Sequence, residues 1–128
     1  MQENHLFEYA VLRIVPRVER EEFINVGVIL YCKKHAFLQT LFTLDENRLL
    51  AMDANANVRD IKCHLDALEQ ISNGDLKAGP IAELDIASRF RWLTAKRSTV
   101  VQTSAVHPGL CADPQQTLRR LHEQLVVA

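Results

Sequence analysis

The chain has 128 residues, of which 48% are hydrophobic and 24% are charged, and this is the size and composition of one globular domain. Its formal net charge of −1 excludes a global positive field that attracts nucleic acid, so nucleic-acid binding requires a local basic patch. The three cysteines are an odd number without a C-x-x-C pair, which argues against a secreted disulfide framework. We expect a cytoplasmic protein without a membrane anchor, because no apolar stretch approaches the length of a spanning helix.

The N-terminal part of the chain predicts an antiparallel meander of three strands. Residues 6–15 alternate with the period of a strand that ends at Pro16, and a charged connector follows over residues 17–22. The run over residues 23–32 is the most apolar in the chain and predicts the central strand. Residues 36–42 predict the third strand.

A register that keeps like faces together pairs Arg13 with Asn25 and Val11 with Gly27. One face of the two strands is then fully apolar and should carry helices. The opposite face is mixed, because it holds Arg13, Asn25 and Gly27. We expect this mixed face to be less completely covered, or functional.

The rest of the chain predicts helices and one further strand. The predicted segments are a helix from a capping box at Thr43 through Met52, a helix over 58–71, a helix over 80–94, a strand over 98–104, a loop at 107–109, and a helix over 114–126 capped by Asp113. The fold class is therefore α+β, with an antiparallel sheet of about four strands, an N-terminal meander plus one C-terminal strand, and helices mainly on one face. Residues 1–128 are predicted to form a single domain.

No catalytic or cofactor-binding motif is present in the sequence. Phosphate-binding glycine loops, the H-E-x-x-H zinc motif and the G-x-S-x-G nucleophile motif are all absent, so no cofactor is implied. Asp60 and His64 lie one helical turn apart, but nothing nearby completes a metal site, and a surface polar pair is the simpler interpretation. No metal is therefore expected.

The densest basic cluster is interleaved with two aromatic residues. It comprises Arg89, Phe90, Arg91, Trp92, Lys96 and Arg97. One interpretation is phosphate or nucleic-acid contact with aromatic stacking. The other is the end of an amphipathic helix, where cations favour the helix dipole and the aromatic residues belong to the core.

Three features of the predicted sheet and its loops point to a site. Arg13 lies among apolar neighbours, so its guanidinium needs partners such as Glu22 or Asn25, or else a ligand. Gly27 in mid-strand is costly unless it permits a bulge or a close approach. The neighbour that needs space would be Val11, or else a ligand or the backbone of a partner. His107 could act as an acid or base, or be a turn residue without a catalytic role.

Two stretches together resemble the bacterial domain-of-unknown-function family 3037. One is Tyr9 to Pro16 followed by Glu22 to Val28, and the other is Val106 to Leu110 followed by Asp113-Pro114. The resemblance implies a small bacterial protein without an established activity. It also implies a partner role beside a HipA-like kinase. The positions that carry the resemblance are Arg13, Pro16, Glu22, Asn25, Gly27, Pro108, Gly109 and Asp113.

The sequence supports two functional hypotheses. The first is a protein-binding or accessory module that uses the face with Arg13, Asn25 and Gly27 together with the His107 loop. The second is an enzyme or nucleic-acid-processing domain in which Arg13, Glu22, Arg97 and His107 meet in one pocket. A homo-oligomer stays open, because the third strand could be an exposed edge that pairs between subunits. The candidate site residues are Arg13, Glu22, Asn25, Gly27, Arg89, Arg97 and His107.

Overall fold

A computed structural model describes residues 3–128, whereas Met1 and Gln2, which the predicted domain includes, lie outside the described range. The strands are β1 (His5–Ile14), β2 (Ile24–Cys32), β3 (Phe37–Phe42), β4 (Val101–Thr103) and β5 (His107–Cys111). The α-helices are α1 (Glu46–Met52), α2 (Val58–Ser72), α3 (Ile86–Leu93) and α4 (Pro114–His122). Short 3-10 turns cover Val18–Arg20, Leu76–Ala78 and Pro80–Glu83, and a π-helical turn over Glu123–Val127 extends α4.

The strands form one antiparallel sheet in the order β3-β2-β1-β4, and β5 also pairs with β1. β4 pairs with the C-terminal end of β1 and β5 with its N-terminal half, both on the side away from β2. The two short strands thus follow each other along one edge. The predicted α+β class with an antiparallel meander is confirmed.

A β-bulge between β1 and β2 changes the predicted register. Arg13 pairs with Asn25 as predicted, but Leu12 pairs with Gly27, so Val26 is the extra residue. Val11 consequently lies opposite Val28, and the predicted pairing of Val11 with Gly27 is wrong. The period-two argument failed because a single inserted residue reverses the faces of every residue beyond it.

As a consequence of the bulge, both faces of the sheet are apolar and both carry helices. The first face packs on α1, α2 and α3 through a core that includes Leu12, Ile14, Ile29, Tyr31, Leu49, Leu65 and Phe90. The second face packs on α4 through Phe7, Val28, Leu30, Cys32, Leu118 and Leu121. Three of the four helices in the described range lie on one face, as predicted, whereas the sparse cover expected on the opposite face is wrong.

Three local predictions are corrected by the observed caps and strand bounds. α1 is capped by Asp45, which accepts a hydrogen bond from the Arg48 amide, and not by Thr43. The helix predicted over 80–94 is interrupted, because Asp85 accepts from the Ser88 amide and starts α3 anew. The loop predicted at 107–109 is the first part of β5, where Pro108 is tolerated because β5 is an edge strand.

The other two helices are also capped by side chains, and the cap of α4 is the one predicted from the sequence. Asn57 caps α2, which ends at Asn73 and Gly74, and Asp113 caps α4 with Pro114 at the first helical position. Across residues 3–128, no helix combines the length and apolar character needed to cross a membrane.

Candidate functional site

Two arginines from opposite ends of the chain line one surface pocket of about 270 Å³. Arg13 comes from the C-terminal end of β1, and Arg97 follows α3. Their approach is a consequence of the fold, because β4 pairs with the Arg13 end of β1 and Arg97 lies in the segment that leads from α3 into β4. The lining residues are Arg13, Val15, Val18, Glu21, Phe23, Lys96, Arg97, Ser98 and Gln102.

Arg13 is held by stacking and not by an ion pair. Its guanidinium carbon lies 3.9 Å from the centre of the Phe23 ring. Its Nε is buried and has no hydrogen-bond partner among residues 3–128. The predicted partners do not supply one, because Glu22 pairs with Arg20 and the Asn25 amide faces α4. A buried donor without a partner is costly. The terminal nitrogens of Arg13 are not buried in this way, so they are the donors that Arg13 can offer a ligand.

Arg97 is fixed by the C-terminal end of α3. Its terminal nitrogens donate to the carbonyl oxygens of Trp92 at 2.6 Å and Leu93 at 3.1 Å, which belong to the last turn of the helix, where cations are favoured. Its guanidinium carbon also lies 4.5 Å from the centre of the Trp92 ring. Partial burial lowers the pKa of His64 on α2, and the Arg97 charge lowers it further.

The pocket has an excess of positive charge. Arg13, Lys96 and Arg97 contribute three cations, and Glu21 contributes one carboxylate. Within the described part of the chain, none of the three cations forms an ion pair. Such an arrangement can bind an anion by charge-assisted hydrogen bonds.

The other predicted basic residues do not belong to this pocket. Arg89 donates to the Leu84 carbonyl at 3.1 Å and so stabilises the turn before α3. The Nε of Arg89 is buried and has no partner within residues 3–128. Arg91 pairs with Glu8 at 3.4 Å across a separate cleft. The predicted basic cluster is thus divided among three places on and around α3.

Asn25 and Gly27 have contacts within the fold. The Asn25 amide donates to the Leu125 carbonyl at 3.1 Å and so ties β2 to the end of α4. Gly27 allows a close approach of β3, because a Cβ there would lie 2.8 Å from the Leu41 carbonyl oxygen. The neighbour that needs space is therefore β3, and the prediction of Val11 is wrong. Since Gly27 pairs with Leu12, it also lies on the face opposite to Arg13.

His107 lies beside the middle of β1, away from the pocket. It is exposed on β5, pairs with Tyr9, and its ring centre is 5.4 Å from that of Tyr9. Tyr9 lies four steps along the strand from Arg13, a distance of about 13 Å. Neither His107 nor Glu22 lines the pocket that Arg13 and Arg97 share, so the four residues of the enzyme hypothesis do not converge there.

Asp60 and His64 line a different cavity, of about 300 Å³, at the start of α2. In the described residues, no group of three or more His, Cys, Asp or Glu side chains could hold a metal ion. A third cleft, of about 550 Å³, also carries cations, namely Lys33, Lys34 and Arg91, of which Arg91 is paired with Glu8. Of the three cavities, only the one lined by Arg13 contains a guanidinium with a buried nitrogen that has no partner among residues 3–128. The Arg13–Arg97 pocket is therefore the best candidate site.

Phe23 is the pocket residue that the sequence interpretation missed. It was assigned to a central strand, yet 45% of its surface is exposed and it supports Arg13. Its spacing of two residues from Asn25 was the available signal, because alternate residues share a face and Asn25 is paired with Arg13.

A buried histidine makes the attachment of α4 pH-sensitive. His122 is 9% exposed, and its Nε2 lies 3.1 Å from the Thr43 hydroxyl. Burial lowers the pKa of His122, and Glu123 opposes this effect only in part. The folded state therefore prefers neutral His122, and stability is lost as the pH falls below the unfolded pKa of about 6.5.

We expect chemical denaturation to show a smaller loss of unfolding free energy between pH 7 and pH 5 in His122→Gln than in the wild type. The reason is that the variant has no proton to take up on unfolding at this position. His35→Gln, at an exposed turn, is the matched control and should follow the wild type. Parallel pH curves for wild type and His122→Gln would show that His122 contributes nothing.

The comparisons with known proteins place the chain in a family. Neither the curated proteins nor the solved structures with which it was compared contain a match. A family described as "Protein of unknown function (DUF3037)" matches residues 9–126, which is nearly the whole chain and includes both arginines of the pocket. This confirms the resemblance found in the sequence. The chain belongs to the DUF3037 family.

Proposed function

We propose that the protein is a binding module that holds an anionic group of a partner protein between Arg13 and Arg97. The observation that carries the proposal is that Arg13, Lys96 and Arg97 surround one pocket without forming an ion pair within residues 3–128. The charge of Arg91, by contrast, is matched by Glu8. Unpaired cations around a concave surface favour an external anion.

The surroundings of the pocket favour a protein as the partner. Phe23 is 45% exposed and Trp92 is 36% exposed, and each ring lies beneath one of the two arginines. Aromatic residues and arginine are enriched in the energetically important centres of protein interfaces. The stacked arginines are also restrained before binding, which reduces the entropy lost on association.

The first partner to test is the HipA-like kinase that the family resemblance implies. A HipA-like kinase is offered to immobilised wild type, to the double variant Arg13→Gln/Arg97→Gln, and to the control Arg59→Gln/Arg119→Gln. The control removes two exposed arginines that do not line the pocket. We expect recovery by the wild type and the control and loss with the pocket variant. Equal recovery by all three proteins contradicts docking at the pocket.

Nucleic acid is the alternative anion, and salt dependence distinguishes it. A surface that tracks phosphates gives retention on heparin or DNA that falls steeply with salt. We expect weak retention of the wild type at low salt, because the formal net charge of the chain is −1. Strong retention that Arg13→Gln abolishes would favour a nucleic-acid function instead.

A further inference from the structure

We infer that the anion held by the pocket is a phosphorylated side chain of a peptide segment, and not a glutamate or aspartate carboxylate. This inference rests on the proposed function and specifies the ligand of the same site. It is carried by the charge of the lining residues and by the donors that they leave unpaired.

The charge of the pocket matches a dianion. Arg13, Lys96 and Arg97 supply three positive charges, and Glu21 supplies one negative charge, which leaves an excess of two. A phosphate monoester carries about 1.5 to 2 negative charges at pH 7, whereas a carboxylate carries one. A carboxylate would leave one cation of the pocket uncompensated.

The donors of the pocket also match three acceptor oxygens. Arg13 offers the terminal nitrogens of a planar guanidinium, which can bind phosphate oxygens in pairs, whereas its Nε is buried. Arg97 donates to backbone carbonyls, so it acts mainly through its charge. Lys96 and the Ser98 hydroxyl line the same pocket. The distribution of donors around one cavity suits the three terminal oxygens of a phosphate monoester.

The single tryptophan of the chain provides the readout. Trp92 lies against Arg97, so an anion that interacts with the Arg97 guanidinium should change the fluorescence of Trp92. The probes are three blocked pentapeptides of the sequence Ala-Ala-X-Ala-Ala, where X is phosphoserine, glutamate or serine. We expect the phosphoserine peptide to bind about tenfold tighter than the glutamate peptide or more, with no saturable binding of the serine peptide.

The outcomes separate this inference from the proposed function. Equal binding of the phosphoserine and glutamate peptides overturns the phosphate assignment and leaves the anion-binding module intact. Absence of saturable binding by both charged peptides overturns both. Two further ligands test the assignment to a phosphorylated side chain. It is overturned if inorganic phosphate binds as tightly as the phosphoserine peptide. It is also overturned if a short single-stranded oligonucleotide binds more tightly than that peptide.

A lysine variant provides a matched test of the charge argument. Lys96→Ala should lower the affinity for the phosphoserine peptide more than the affinity for the glutamate peptide, because only the dianion needs the charge of the third cation. Lys77→Ala removes an exposed lysine outside the pocket and should change neither affinity. An equal loss for both peptides in Lys96→Ala contradicts the match between charge excess and dianion. Circular dichroism melting curves check that both variants are folded.

Discussion

Arg13→Gln is expected to weaken binding of the phosphoserine peptide about 10- to 100-fold. The estimate follows because charge-assisted hydrogen bonds contribute roughly 1.5–3 kcal/mol, and each 1.4 kcal/mol is about a factor of ten in affinity. Glutamine keeps a polar chain of similar reach above Phe23 but lacks the charge and the fork. Isothermal titration calorimetry of the two proteins measures the difference directly.

Two controls test whether the guanidinium of Arg13 itself binds the ligand. Arg13→Lys keeps the charge and should recover only part of the affinity, because an ammonium group cannot bind two oxygens in the plane of a fork. Arg13→Gln should remain folded, since the Arg13 Nε has no partner to lose within residues 3–128. Unchanged affinity in a folded Arg13→Gln protein rules Arg13 out as a ligand-binding residue.

Phe90→Ala is expected to lower the free energy of unfolding by about 3–5 kcal/mol. Phe90 is fully buried on α3, and its ring centre lies 5.3 Å from that of Tyr31 on β2. Truncation leaves a cavity between α3 and the sheet, where close packing cannot be restored by small shifts. The loss is a large part of the roughly 5–15 kcal/mol that stabilises a domain. Urea denaturation measures it.

Arg91→Ala on the same helix is the matched control for Phe90→Ala. The Arg91 side chain is 62% exposed, and its pair with Glu8 is a surface ion pair, so its removal should cost less than about 1 kcal/mol. Comparable losses in the two variants would mean that packing at Phe90 does not hold α3 on the sheet.

The sequence was informative where local chemistry decides the structure. The alternation of apolar residues in the N-terminal third predicted the meander, and the pairing of Arg13 with Asn25 was found from it. Helix α4 was predicted from Asp113 and Pro114, because an N-cap side chain and a proline at the first position act within a few residues. Such signals do not depend on distant parts of the chain.

The sequence was less informative where distant segments meet. The bulge at Val26 adds one residue to β2, and only Gly27 indicated that something irregular lay nearby. Whether Arg97 would lie near Arg13 depended on the pairing of β4 with the end of β1, which no local pattern reveals. Asn25 contacts the end of α4, and Gly27 lies close to β3. Both residues are unusual in an apolar strand because of these neighbours, which are distant in the sequence.

The joint action of Arg13 and Arg97 on one anion is tested most directly by nuclear magnetic resonance of the full chain. The buried Arg13 Nε–H and the side-chain N–H groups of Arg97 can be followed while the phosphoserine peptide is added. Both sets of signals should shift and saturate at the same peptide concentration, as expected for two groups that share one ligand. Saturation at different concentrations, or shifts confined to other surfaces, would contradict a shared anion site.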